Sequence, residues 1–182
     1  MTTIDVTLRI GGVFASQRAG VIRTVLGSCI AVCLFDPVSR VGGMNHFMLP
    51  RLIAEEPSPR PTVFGVQAME VLIGAMQRLG ARRDRMVAKL FGGAHVLQTS
   101  ESASSVPARN VAFIEAYMRD ERMEVTAHDL GGYLPRCIHF HPHNGKAFVR
   151  RMGSATLDEL RLEESLADSR PASGSEPDIT LF

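Results

Sequence analysis

The sequence lacks an excess of either charge, a long apolar run and a paired set of cysteines. Each lack removes a class of protein. Twenty Lys and Arg face nineteen Asp and Glu over 182 residues, a net charge of +1. That balance leaves no general electrostatic footprint for nucleic acid. The longest apolar run, Cys29–Phe35, is seven residues, against about 20 for a membrane-crossing helix. Met1 to Leu8 is Thr-rich, holds Asp5, and has neither a basic start nor an apolar core, so no signal peptide is expected. Cys29, Cys33 and Cys137 are an odd set without C-x-x-C spacing. They fit neither a disulfide framework nor a zinc knuckle, and the expected compartment is a reducing cytoplasm. The pairs Gly92-Gly93 and Gly131-Gly132 have no phosphate-loop spacing and no Lys-Ser/Thr pair after them, so no nucleotide cofactor is indicated.

What is present fits an ordinary globular chain. The hydrophobic share of 45% and charged share of 21% exclude a collagen, a coiled-coil rod and a wholly disordered chain. A chain of this length buries roughly 70% of its unfolded surface, enough to fold without a metal or disulfide. The charge is unevenly spread. Residues 1–154 carry +6 and residues 155–182 carry −5. An acidic tail on a mildly basic body is either solvated or a partner motif.

Local pattern predicts the elements. Residues 7–13 read as a first strand or lead-in, and 21–25 as a β-branched strand ending at Gly27-Ser28. The run 29–35 reads as a strand buried on both faces. Asp36–Ser39 is turn chemistry, and 41–49 a second strand stopped by Pro50. Residues 51–61, with Pro57, Pro59 and Pro61, read as a loop. Phe64, Ala68, Val71, Leu72, Ala75 and Leu79 recur at helical spacing up to Gly80. Arg82–Arg85 reads as a solvated turn into a strand over 86–91, followed by a Ser-rich loop over 98–105 and a helix over 106–118 with Val111, Ile114 and Met118 on one face. Residues 124–130 read as a strand, and 136–141 with 146–151 as a hairpin turning at Asn144-Gly145. Residues 156–167 read as a charged helix and 169–178 as disordered. Strands mixed with two main helices predict a single α/β layered domain, residues 1–153, with an acidic appendage, residues 154–182.

The chemistry concentrates between Thr24 and His46. With a loop at Asp36–Ser39, Phe35 faces Arg40 and Cys29 falls opposite His46. Opposed residues share a face with Cβ atoms about 5 Å apart. A thiol near an imidazole becomes a nucleophile, because the ring takes its proton and later returns it to a leaving amine. Gly27 and Ser28 are small enough to let a carbonyl approach backbone N–H groups that would hold an oxyanion. The plain alternative for Cys29 is a buried structural thiol. Cys33 shares its face and reads as core, while Cys137 carries no functional case. His139, His141 and His143 form an H-x-H-x-H pattern that reads as an exposed hairpin strand and turn, with metal binding as the other reading. No metal ligand set is assigned.

Two blocks of sequence carry a family resemblance. Thr24-Val-Leu-Gly-Ser-Cys29 through Asp36-Pro37, then Gly42-Gly-Met-Asn-His46 through Pro50, resemble the signature of the CheD family of chemoreceptor glutamine deamidases. Ala88–Ala94, Arg109-Asn110, Asp129–Gly132 and Gly145–Val149 follow in the same order. The resemblance implies a three-layer α/β/β sandwich and a cytoplasmic hydrolase. Such an enzyme converts selected glutamines of methyl-accepting chemotaxis receptors to glutamate, and some relatives also act on receptor methyl esters. It places the nucleophile on Cys29, the base on His46 and a catalytic threonine on Thr24. It implies no cofactor, and it adds a CheC-type phosphatase as a further partner. The other reading of the same fold is a non-catalytic module that docks on receptors or a phosphatase.

Overall fold

The computed structural model describes residues 3–49, 64–96 and 105–153. The loops expected over 51–61 and most of 98–105, and the charged helix and disordered tail expected beyond 153, lie outside the described residues. Nine strands, two α-helices and a single 3-10 turn at Arg83–Arg85 are described. The strands are β1 (Ile4–Thr7), β2 (Val13–Ser16), β3 (Gly20–Leu26), β4 (Ile30–Asp36), β5 (Val41–Phe47), β6 (Val87–Gly92), β7 (Glu124–Leu130), β8 (Arg136–His141) and β9 (Lys146–Arg151). The helices are α1 (Gly65–Arg78) and α2 (Val106–Asp120). No described helix is long and apolar enough to cross a membrane.

The chain forms one small mixed α/β domain with two sheets. One sheet has the order β1-β3-β8-β9 and the other β2-β5-β4-β6-β7. The apolar run of β4 explains its central place. Ile30, Val32 and Leu34 pack with Ala68, Leu72 and Met76 of α1 and with Ile114 of α2. Ala31 and Cys33 pack instead with Ile22, Leu26, Ile138 and Phe140 from the other sheet. Both faces of β4 are therefore apolar because both are covered.

The helices follow from pattern and capping. In α1 the buried residues Ala68, Met69, Leu72, Ile73, Ala75 and Met76 form one stripe. In α2 the Ser105 hydroxyl accepts the Ala108 N–H, and Pro107 sits in the first turn, where its missing N–H costs nothing. The stripe of α2 holds Ile114 and Met118 as expected, and also Asn110 and Tyr117.

Three expectations need correction. Of the two readings of 7–13, the strand gives way to the lead-in. β1 ends at Thr7 and β2 begins at Val13, so residues 8–12 carry the chain from one sheet to the other. The β4–β5 loop is Pro37–Arg40, since Asp36 pairs with Val41. Asp36 stays in the strand because its buried carboxylate accepts the N–H of Val38 and Arg82 and pairs with Arg85 at 2.7 Å. Residue 46 is consequently opposed by Ala31 and not by Cys29. The slip is two residues, so every side chain keeps its predicted face. Finally, the stretch Arg82–Arg85 is more than a solvated turn. Arg85 reaches Asp36, while Arg83 pairs with Glu70 at 2.9 Å and Glu121 at 2.7 Å.

Candidate active site

β3 ends at Leu26 in one sheet and β4 begins at Ile30 in the other. Gly27, Ser28 and Cys29 make the turn that joins them. Three successive carbonyls of this turn are held. Ala94 N–H donates to Gly27 at 2.8 Å, Asn110 Nδ2 to Ser28 at 2.8 Å, and Gly93 N–H to Cys29 at 2.8 Å. A Cβ on Gly92, which has φ +114°, would land on the Cys29 carbonyl oxygen. The first glycine pair thus marks a close approach of two backbone segments.

His46 sits near the end of β5 and points between the sheets with Met44. Its backbone is held on both sides, by Gly12 carbonyl at 3.0 Å and Gly11 N–H at 2.7 Å. Its ring meets the second sheet. Nδ1 lies 2.8 Å from Thr24 Oγ1, and that hydroxyl lies 2.9 Å from the Leu8 carbonyl. A carbonyl only accepts, so the single hydroxyl proton of Thr24 goes to Leu8. Thr24 Oγ1 then accepts from Nδ1–H, and the neutral ring carries its lone pair on Nε2. That Nε2 is buried with no hydrogen-bond partner. Burial pushes the pKa of His46 down to about 4, against an opposite pull from the Leu8 carbonyl. At neutral pH the ring is therefore an uncharged base with one unused lone pair.

Cys29 lies on the same side of β4 as Ala31, the residue opposite His46. The structure therefore brings Thr24 and His46 into contact, while Cys29, in the turn with Gly27 and Ser28, packs in the same apolar cluster as Ala31, the residue opposite His46. All are closely covered: Cys29 is 1% exposed and His46 5%. Cys33 is core, and burial drives its thiol far above the ordinary range. Cys137 is half-buried on β8. His139 is exposed, and His141 Nδ1 lies 2.8 Å from the Gly20 carbonyl on the same strand's outer face, away from the turn.

Two residues received no role in the sequence reading. Asn110 is fully buried and bonds the turn. Its signal was a polar residue on an apolar helical stripe with Ile114 and Met118. Arg136 is 2% exposed. Its guanidinium donates to the carbonyls of Gly92, at 3.1 Å, and of Asp129 and Gly131. It ties both glycine pairs together beneath the turn, and burial lowers its pKa although Asp129 opposes this. A lone Arg at a strand start gave no such signal.

Comparison with known proteins now bears on this geometry. A family model described as CheD chemotactic sensory transduction matches residues 48–151. A protein of Vibrio vulnificus (strain CMCP6), named probable chemoreceptor glutamine deamidase CheD, is 43% identical over 162 residues. The match covers 85% of this chain and 74% of that protein. A Burkholderia thailandensis protein named probable chemoreceptor glutamine deamidase CheD 1 is 45% identical over 164 residues, 88% of this chain and 68% of its own. The chain belongs to the CheD family. The CheD match begins just after His46 and takes in Asn110, Arg136 and both glycine pairs. Thr24, Cys29 and His46 precede it.

Proposed function

We propose that this CheD-family chain deamidates selected glutamine side chains of chemotaxis receptors, with Cys29 as nucleophile and His46 as base. The names of its relatives give the reaction and substrate. The observation that carries the assignment of residues is the unpartnered Nε2 of His46, set by the Thr24 bond at Nδ1 on the layer that holds Cys29.

The chemistry follows from the tautomer. Nε2 takes the Cys29 proton as sulfur attacks the carboxamide carbon of the glutamine. The oxygen gains charge. With every described peptide bond trans, the Ser28 and Cys29 N–H groups point opposite to the held carbonyls of Gly27 and Ser28, and they stabilise that charge. Protonated Nε2 gives its proton to the nitrogen, the C–N bond breaks and ammonia leaves. Water then attacks the thioester, gives a proton to Nε2, and releases glutamate and the Cys29 thiol. Thr24 keeps the ring in the tautomer that both half-reactions need. The product carries one new negative charge, which shifts the receptor's signalling balance.

The finer architecture belongs to the same reading. A three-layer α/β/β sandwich is supported by two clusters, one between helices and β4 and one between the two sheets. A unit ending near 153 is supported by the family match and β9 both ending at 151. Residues 154–182 are then an acidic extension. A cytoplasmic setting is supported by receptor modification and by three cysteines that no disulfide joins, and a CheC-type phosphatase is the further partner.

One observation favours the non-catalytic module instead: Cys29 is 1% exposed. The test is mass spectrometry of a receptor cytoplasmic fragment after incubation with the protein, with Cys29→Ala and with His46→Ala. The wild type should add 0.98 Da per converted glutamine, about one mass unit. Both variants should add none while retaining the native circular dichroism. Conversion by Cys29→Ala at the wild-type rate overturns the covalent mechanism, whereas no conversion by the wild type leaves the docking module.

A further inference from the structure

Asn110 touches the chain on both sides of the site. Its Nδ2 donates to the Ser28 carbonyl at 2.8 Å, one residue before the nucleophile. Its Oδ1 accepts the Leu49 N–H at 2.9 Å, three residues after the base. The carboxamide is planar, so donor and acceptor are fixed relative to each other. One rigid group therefore sets the spacing between the turn that carries Cys29 and the strand end that carries His46.

Neither helix propensity nor the packing of the stripe favours an amide here. Asparagine is a poor helix former, and position 110 lies on the buried stripe of α2. An apolar residue would extend that stripe at no desolvation cost, whereas a buried amide is tolerated only when its bonds are made. The neighbouring carbonyls of Gly27 and Cys29 are held by backbone N–H groups of Ala94 and Gly93. Of the three, the middle carbonyl is the one entrusted to a side chain.

We propose that Asn110 is a positioning residue for deamidation. By holding the Ser28 carbonyl it orients the Ser28–Cys29 peptide, whose N–H points the opposite way, toward the oxyanion. This rests on the reading of Cys29 as nucleophile. Asn110 acts on the transition state and leaves receptor binding and thiol reactivity largely intact.

The experiment compares wild type, Asn110→Asp and Asn110→Ala in three measurements. These are kcat and KM on a receptor cytoplasmic fragment, alkylation of Cys29 by iodoacetamide, and the circular dichroism spectrum. Both variants should lose kcat at least 10-fold, since a misaimed oxyanion donor forfeits much of the roughly 10²–10³ that such a donor supplies. KM and the alkylation rate should stay within about threefold of wild type, because neither uses the oxyanion. A kcat within threefold of wild type in both variants overturns the proposal. So does a fall in alkylation equal to the fall in kcat, or loss of the folded spectrum in both, either of which makes Asn110 a purely structural residue. Cys29→Ala separates the two claims. If it still deamidates, the nucleophile assignment has failed. If it is inactive while the Asn110 variants run at full rate, only the positioning role has failed.

Discussion

Lowering the pH from 7 to 4.5 challenges His46 before most carboxylates. The ring is buried and burial pushes its pKa from 6.5 down to about 4, with the Leu8 carbonyl opposing. In the unfolded chain the ring titrates near 6.5. Between these values the unfolded state binds the proton and the folded state does not. Stability from this group is therefore complete above about pH 6.5, declines as pH falls toward 4, and levels off below. At about 1.4 kcal/mol per pKa unit, the loss is about 1 kcal/mol at pH 5.5 and roughly 2–3 kcal/mol at pH 4.5. Carboxylates add losses of the same sign at lower pH. Burial alone would raise the Asp36 carboxyl, but the Arg82 N–H, the Arg85 guanidinium and the loop amides together hold it well below the usual range. Comparison with His46→Gln subtracts those losses, because the variant keeps every carboxylate. For a chain of this size each kcal/mol moves the melting temperature by about 2–4 °C. Between pH 7 and 4.5 the wild type should thus lose roughly 5–10 °C more than His46→Gln. Scanning calorimetry measures this, and nitrogen NMR should show protonated Nδ1 and bare Nε2 down to pH 5. Parallel melting curves for the two proteins would refute a neutral, buried imidazole.

Other substitutions probe the supports of the site. Thr24→Val leaves Nδ1–H and the Leu8 carbonyl without their partner, so stability should fall by about 1–3 kcal/mol in urea titration. Deamidation kcat should drop at least 10-fold, a share of the roughly 10²–10⁴ that a positioned proton-transfer group supplies. Gly92→Ala drives a methyl onto the Cys29 carbonyl, and should lower both melting temperature and kcat. Gly131→Ala is its control: φ is +73° but nothing lies within 4 Å of the new carbon, so it should cost about 1 kcal/mol of backbone strain and leave kcat unchanged. Asp36→Ala strands Arg85 at the end of β4 distant from Cys29, about 20 Å along the strand. It should destabilise by roughly 3 kcal/mol while the folded fraction keeps its kcat.

The strand and helix pattern from 20 to 151 was legible in the sequence because it is written locally, as apolar period and turn chemistry. The hairpin of β8 and β9 has the expected limits, since Gly145 at φ +70° takes the turn that Asn144-Gly145 advertises. The face shared by Cys29 and His46 was also legible, and it survived an error in the loop. A strand's side chains repeat every two residues, so a slip of two changes the partner but not the side.

Sequence alone determined which residues alternate, where the chain turns, and that a thiol and an imidazole share one surface of a sheet. Only the tertiary structure decided what that imidazole touches. Thr24 belongs to the other sheet and meets His46 across the layer between them, 22 positions away. Asn110 reaches Ser28 over 82 positions, and Arg136 reaches Gly92 over 44. No periodicity records such meetings, because hydrogen bonds between distant segments depend on how the sheets and helices stack. The tautomer of the base and the aim of the turn were settled there.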